Sequence, residues 1–177
     1  QFEISFSKDN DYLNPKIGLA LVNAYDNDFT LLDTLKEKHG NNVYIQEGMG
    51  LEKVSEGRLE DSIELFKKSL RTERKQSYNY LHLARVYQKL ENHDKTKEYF
   101  EKFITENSKY VKGFVEYAKW LMSISDYADA QRKLRRAEKL DNNNVEILNL
   151  LFYSSYRLVK DNICEYNIKE TISIADK

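Results

Sequence analysis

A period of 34 residues, held in register from residue 43 to the end of the 177-residue chain, limits the fold more than any other feature. Tyr80, Leu83, Ala84 and Tyr87 fall on Phe114, Tyr117, Ala118 and Leu121 after a shift of 34 with no gap. Each quartet has the i, i+3, i+4, i+7 spacing of one helix face. The same shift carries Thr96, Phe100 and Phe103 onto Ala130, Leu134 and Ala137, a second apolar face, so each unit holds two helices. One period earlier stand Gln46, Met49, Gly50 and Lys53, then Ser62, Phe66 and Ser69; one period later stand Leu148, Leu151, Phe152 and Ser155, then Cys164, Ile168 and Thr171. A fixed period of this length means stacked supersecondary units that bury a shared core. The register gives four: 43–76, 77–110, 111–144 and 145–177.

The pattern resembles the tetratricopeptide-repeat family. That family places a large residue at position 4 of each unit, large then small residues at 7 and 8, an aromatic at 11, and small, aromatic and small residues at 20, 24 and 27. The third unit matches best, with Phe114, Tyr117, Ala118, Ala130, Leu134 and Ala137, and the run Gly57 to Ile63 resembles the family's turn into the second helix. The proline expected at position 32 is Arg74, Ser108 and Asn142 here, and Lys53 and Ser155 replace the aromatic at position 11. The resemblance implies an all-α fold: an α-solenoid of antiparallel helix pairs wound as a right-handed superhelix. Small residues such as Ala84 and Ala118, facing Ser62, Ala130 and Cys164 on second helices, let neighbouring backbones approach while large residues fill the space alongside. Cys164 therefore reads as a packing thiol.

Composition agrees. One Pro and six Gly leave few breakers, and 41% apolar with 12% aromatic residues suffice for a continuous core. Lys plus Arg number 28 against 29 Asp plus Glu, so no net charge draws the chain to nucleic acid or an anionic membrane. A lone Cys excludes an internal disulfide and a thiolate-rich zinc site. No apolar run reaches the roughly 18 residues of a membrane span. A start at Gln1 suggests a piece of a longer chain and leaves the compartment open, the cytoplasmic and periplasmic sides both fitting. Residues 1–13 form an N-terminal segment in which Phe2, Ile4 and Phe6 alternate like a short strand. Residues 14–42 read as a degenerate helical-pair cap, with Pro15 in the first helical turn behind Asn14 and with Phe29, Leu32 and Leu35 on the second helix.

The resemblance also implies a function, that of a non-enzymatic scaffold holding a protein or peptide in the concave groove lined by the first helices. Carried over by position, the predicted groove residues are Tyr44, Tyr78, His82, Arg85, Lys112, Lys119, Met122, Tyr153, Tyr156 and Arg157. Tyr, Met and Arg are types enriched at interfaces, and the mixture suits an acidic segment with apolar anchors. Chaperone-binding members grip a terminal carboxylate with Lys, Asn and Arg at positions held here by Glu47, Leu51, His82, Lys112 and Glu116; only Lys112 matches, which argues against chaperone tails. The basic run Arg132, Lys133, Arg135 and Arg136 lies on a second helix whose Leu134 and Ala137 face inward, so it is expected on the convex side as a solvated face. Nucleic-acid binding through it is a lesser alternative, self-assembly through the terminal faces a stronger one. His39, His82 and His93 have no metal-ligand spacing, Asp9, Asp11, Asp26 and Asp28 lack the rest of a calcium loop, and no glycine-rich phosphate loop occurs. No catalysis, cofactor or metal is expected.

Overall fold

The computed structural model of the protein describes residues 15–72 and 78–175, with side chains as far as Lys160. The strand-like alternation of Phe2, Ile4 and Phe6 lies outside the described residues. Among these residues there are nine helices and no strand. They are α1 Pro15–Tyr25, α2 Thr30–His39, α3 Val43–Ser55, α4 Leu59–Thr72, α5 Tyr78–Lys89, α6 His93–Glu106, α7 Val111–Ser123, α8 Tyr127–Leu140 and α9 Val145–Ala175. They fall into two compact units, residues 1–103 and 104–177.

Four helix starts carry capping side chains at positions that recur with the period. Asn42 accepts from the amides of Tyr44 and Ile45 at 2.9 and 3.4 Å ahead of α3, and Asn144 does the same for Glu146 and Ile147 at 3.1 and 3.4 Å ahead of α9. Asn92 and Asp126 cap α6 and α8 through the amides of Lys95 and Asp129. Each cap satisfies an amide that has no partner inside its helix.

Helix stops recur as well. Gly57, Glu91 and Ser125, 34 residues apart, all take positive φ, at 76°, 54° and 63°. At each, the following amide reaches five residues back: Arg58 to Lys53, Asn92 to Tyr87 and Asp126 to Leu121, at 2.9–3.0 Å. That is the Schellman termination, which needs one left-handed residue. The first pair ends α1 the same way at Asn27, φ 60°, with Asp28 donating to Asn23. One period beyond Ser125 stands Val159. A β-branched residue is badly placed at positive φ, and no Gly or Pro lies between residues 145 and 175. The helix accordingly runs on. The fourth unit is one helix of 31 residues, where the sequence period predicts two.

In the first unit α1 packs on α2 and α3, α3 on α4, and α4 on α5. Ile17, Ala20, Leu32 and Ile45 are buried together, flanked by Phe29, Leu35, Tyr44 and Met49. Gly50 lets the Phe66 ring lie directly on α3: a Cβ there would stand 2.4 Å from Cε1 of the ring. Tyr99 of α6 stacks on Tyr87 at 5.4 Å and on Tyr80 at 6.3 Å, which leaves both α5 tyrosines half-buried. In the second unit α8 packs on both α7 and α9. Tyr117, Ala118, Leu121, Ala130, Leu134 and Ala137 are fully buried there, the faces that the period marks as apolar, whereas on α9 Ile147 is buried and the period's Leu148 and Phe152 are exposed.

Candidate interaction surface

First helices carry the predicted site. In the first unit these are α3 and α5, and much of their outer face is used internally. Tyr25, at the end of α1, donates its hydroxyl to Glu47 Oε1 at 2.5 Å and lies 3.0 Å from His82 Nε2, which is itself 3.2 Å from the same carboxylate oxygen. The His82 ring also stacks on Phe66 at 5.0 Å. His82 is thus only 4% exposed and is not a groove residue, contrary to the sequence expectation. Its position faces outward in the repeat, but the first helix pair covers it. Burial first, then the Glu47 carboxylate, push the Tyr25 hydroxyl far above its ordinary pKa. Tyr44 is half-buried against the core cluster, and Tyr78 is half-buried with its ring 5.7 Å from Phe103. Of the four predicted residues in this unit, Arg85 alone is exposed.

In the second unit the outer faces of α7 and α9 are open. Lys112 and Lys119 on α7 are exposed, with Met122 half-buried beyond them. Lys119 meets Glu146 of α9 at 2.5 Å, so part of its charge is spent within the unit. On α9, Tyr153 and Tyr156 are exposed. Arg157 lies over the Tyr127 ring at 4.6 Å and over Tyr153 at 5.9 Å, and donates to the Tyr153 hydroxyl at 3.0 Å. Tyr127, buried at the start of α8, also meets Tyr153 edge-on at 6.4 Å. The result is a braced Tyr–Arg–Tyr set whose outer ring faces solvent. Sequence reading missed Tyr127, which belongs to a second helix and lies outside the apolar quartets. Its only signal is that it opens α8 directly after the turn.

The basic run on α8 is largely paired. Arg132 binds Asp129 at 3.0 Å, Arg135 binds Glu138 at 3.0 Å, and Lys133 reaches over the Tyr117 ring at 4.8 Å. Among the described residues no group of three or more His, Cys, Asp or Glu could hold a metal, and no helix is long and apolar enough to cross a membrane.

No protein-family model matches the chain, and no curated protein matches it. Solved structures do. The first TPR of Spaghetti (RPAP3), bound to the HSP90 peptide SRMEEVD, is similar with a TM-score of 0.58 at 17% identity, over 66% of this chain and 93% of that one. MamA AMB-1 is similar with a TM-score of 0.65 at 16% identity, over 93% and 90%. Cut9 in the APC/C heterotetramer Cut9–Hcn1 gives 0.68 at 13% identity, over 79% of this chain and 29% of that one. The chain has the tetratricopeptide-repeat fold.

Proposed function

We propose that this tetratricopeptide-repeat chain is a non-enzymatic protein-interaction scaffold, and that the outer face of α7 and the first half of α9 takes a peptide segment carrying acidic side chains beside apolar anchors. The braced set of Tyr153, Arg157 and Tyr127 carries this reading. An exposed aromatic that is already held in place loses little conformational entropy on binding, and Tyr and Arg of this kind dominate binding energies at interfaces. Lys112 and Lys119 on the neighbouring helix supply cations that steer an acidic segment toward it. Two of the similar solved structures hold chaperone peptides, one of HSP90 and one of Hsp70, but a chaperone tail is not the ligand proposed here. Two of the clamp positions are Glu47 and His82, which are buried against Tyr25, and the Glu47 carboxylate would repel a carboxylate.

The test is to select binders from a displayed peptide library and measure their kinetics on variants. Lys119→Glu and Arg157→Glu should slow association and flatten its salt dependence; Tyr153→Ala should speed dissociation. Undiminished capture by the triple variant, with capture abolished by charge reversal at Arg132, Arg135 and Arg136, would place binding on the α8 face and sink the proposal.

A further inference from the structure

The first half of α9 leaves one helix face bare. Val145, Leu148, Phe152, Tyr156 and Val159 follow one another at steps of three and four and are all exposed, Phe152 to 77%. The opposite side, through Ile147, Leu151 and Ser154, is buried, and α9 packs on α8. Tyr153 and Arg157 stand on a third face, so the bare stripe borders the peptide surface proposed above and shares Tyr156 with the predicted groove.

The period says what normally covers such a stripe. Leu148 and Phe152 occupy the unit positions of Gln46 and Gly50, of Tyr80 and Ala84, and of Phe114 and Ala118. In the earlier units these residues are buried or half-buried, and the space over Gly50 is filled by Phe66 of the second helix. The residue that corresponds to Phe66 in the fourth unit is Ile168, with Cys164 and Thr171 at the small positions on either side. By register, Gly50 and Phe66 of the repeat at 43–76 correspond to Phe152 and Ile168 of the repeat at 145–177, both apolar. The segment that the register assigns to the stripe is therefore in this chain, at residues 161–175.

It does not reach its own stripe. Val159 stands where Gly57, Glu91 and Ser125 make the left-handed turn, and α9 continues straight through it. From Phe152 to Ile168 the helix rises about 24 Å at ~1.5 Å per residue. A second copy can supply what the hairpin would have supplied. We propose that the stripe of Val145, Leu148, Phe152, Tyr156 and Val159 is an interface for a second copy of this chain, whose residues 161–175 dock on it as the missing second helix, in a reciprocal swap. An opened hairpin that becomes one long helix is the geometry such an exchange needs, and its two-fold symmetry covers both stripes at once.

Sedimentation equilibrium of the 177-residue chain at micromolar concentration tests this. The expected mass is twice that of one chain. Phe152→Glu should weaken the dimer at least tenfold with the helical circular dichroism unchanged, since that side chain makes little contact within its own unit. Val159→Gly leaves Phe152 in place and puts a glycine before Lys160, as Gly57 precedes Arg58. It should allow the turn, fold residues 161–175 back on their own stripe and return the chain to a monomer. A wild-type chain of single mass overturns the proposal and leaves the stripe to a different protein. A dimer that survives Phe152→Glu overturns the surface. One undiminished by Val159→Gly overturns the exchange and makes the contact stripe against stripe.

Discussion

Gly50 and Phe66 should behave as one energetic unit. A Cβ added at Gly50 would lie 2.4, 2.8 and 2.8 Å from three carbons of the Phe66 ring. That ring is fully buried and stacked on His82, so it has little room to withdraw. Overpacking of this kind costs roughly 1–3 kcal/mol. Alanine recovers up to about 1 kcal/mol of helix propensity over glycine. Gly50→Ala alone should therefore destabilise by about 0.5–2 kcal/mol. Phe66→Leu alone should cost less than the roughly 3–5 kcal/mol of a Phe→Ala truncation. In the Phe66→Leu background the clash is gone, and Gly50→Ala should become neutral or stabilising. The predicted coupling is thus about 1–3 kcal/mol, measured by urea denaturation of the two single variants and the double. Additivity within about 0.5 kcal/mol would refute the contact and the pairing of unit positions 8 and 24 on which the register rests.

Two further outcomes follow from burial. Ala118, fully buried on α7, has no room for a large side chain, so Ala118→Phe should lower stability by roughly 1–3 kcal/mol; an unchanged melting temperature would show the register to be off by at least one residue. Tyr25 has a folded pKa raised by burial and by Glu47, so its contribution is complete below its ordinary value near 10 and is lost as pH climbs from there toward the folded value. Alkaline unfolding should start above about pH 10, and Tyr25→Phe should flatten that slope while lowering stability at neutral pH, because Glu47 loses its hydroxyl donor. A slope identical in both proteins would assign the alkaline loss to other groups.

The paired helices from α3 to α8 were legible because their apolar faces recur at 34 residues. The caps Asn92 and Asp126 and the turns at Gly57, Glu91 and Ser125 recur with the same period. The extent of α9 was not legible from apolar spacing. Leu148, Phe152, Ile168 and Cys164 fit the pattern, and what differs is the backbone freedom of the single residue Val159. The candidate surface was half legible. Position within a unit says which way a side chain leaves its helix, and this placed Lys112, Lys119, Tyr153 and Tyr156 in solvent. It cannot say what lies opposite. His82 is covered by a tyrosine 57 residues away in sequence, and Lys119 is matched by a glutamate on the following first helix, both set by tertiary neighbours.

The polar knot of Tyr25, Glu47 and His82 changes how the first unit should come apart. Stacked repeats ordinarily touch only their immediate neighbours, so that an end can fray one pair at a time and stability adds up along the stack. Here the hydroxyl of Tyr25, on the first pair, is 3.0 Å from the imidazole of His82, on the third, with the Glu47 carboxylate of the second between them. Releasing α1 removes the Tyr25 hydroxyl from Glu47 and His82 at once, two groups that are buried in the folded unit. The ends of the repeat ladder are then no longer independent rungs. Local opening at α1 carries a cost registered at α5, and the amides of these two helices should exchange with solvent in a single cooperative step.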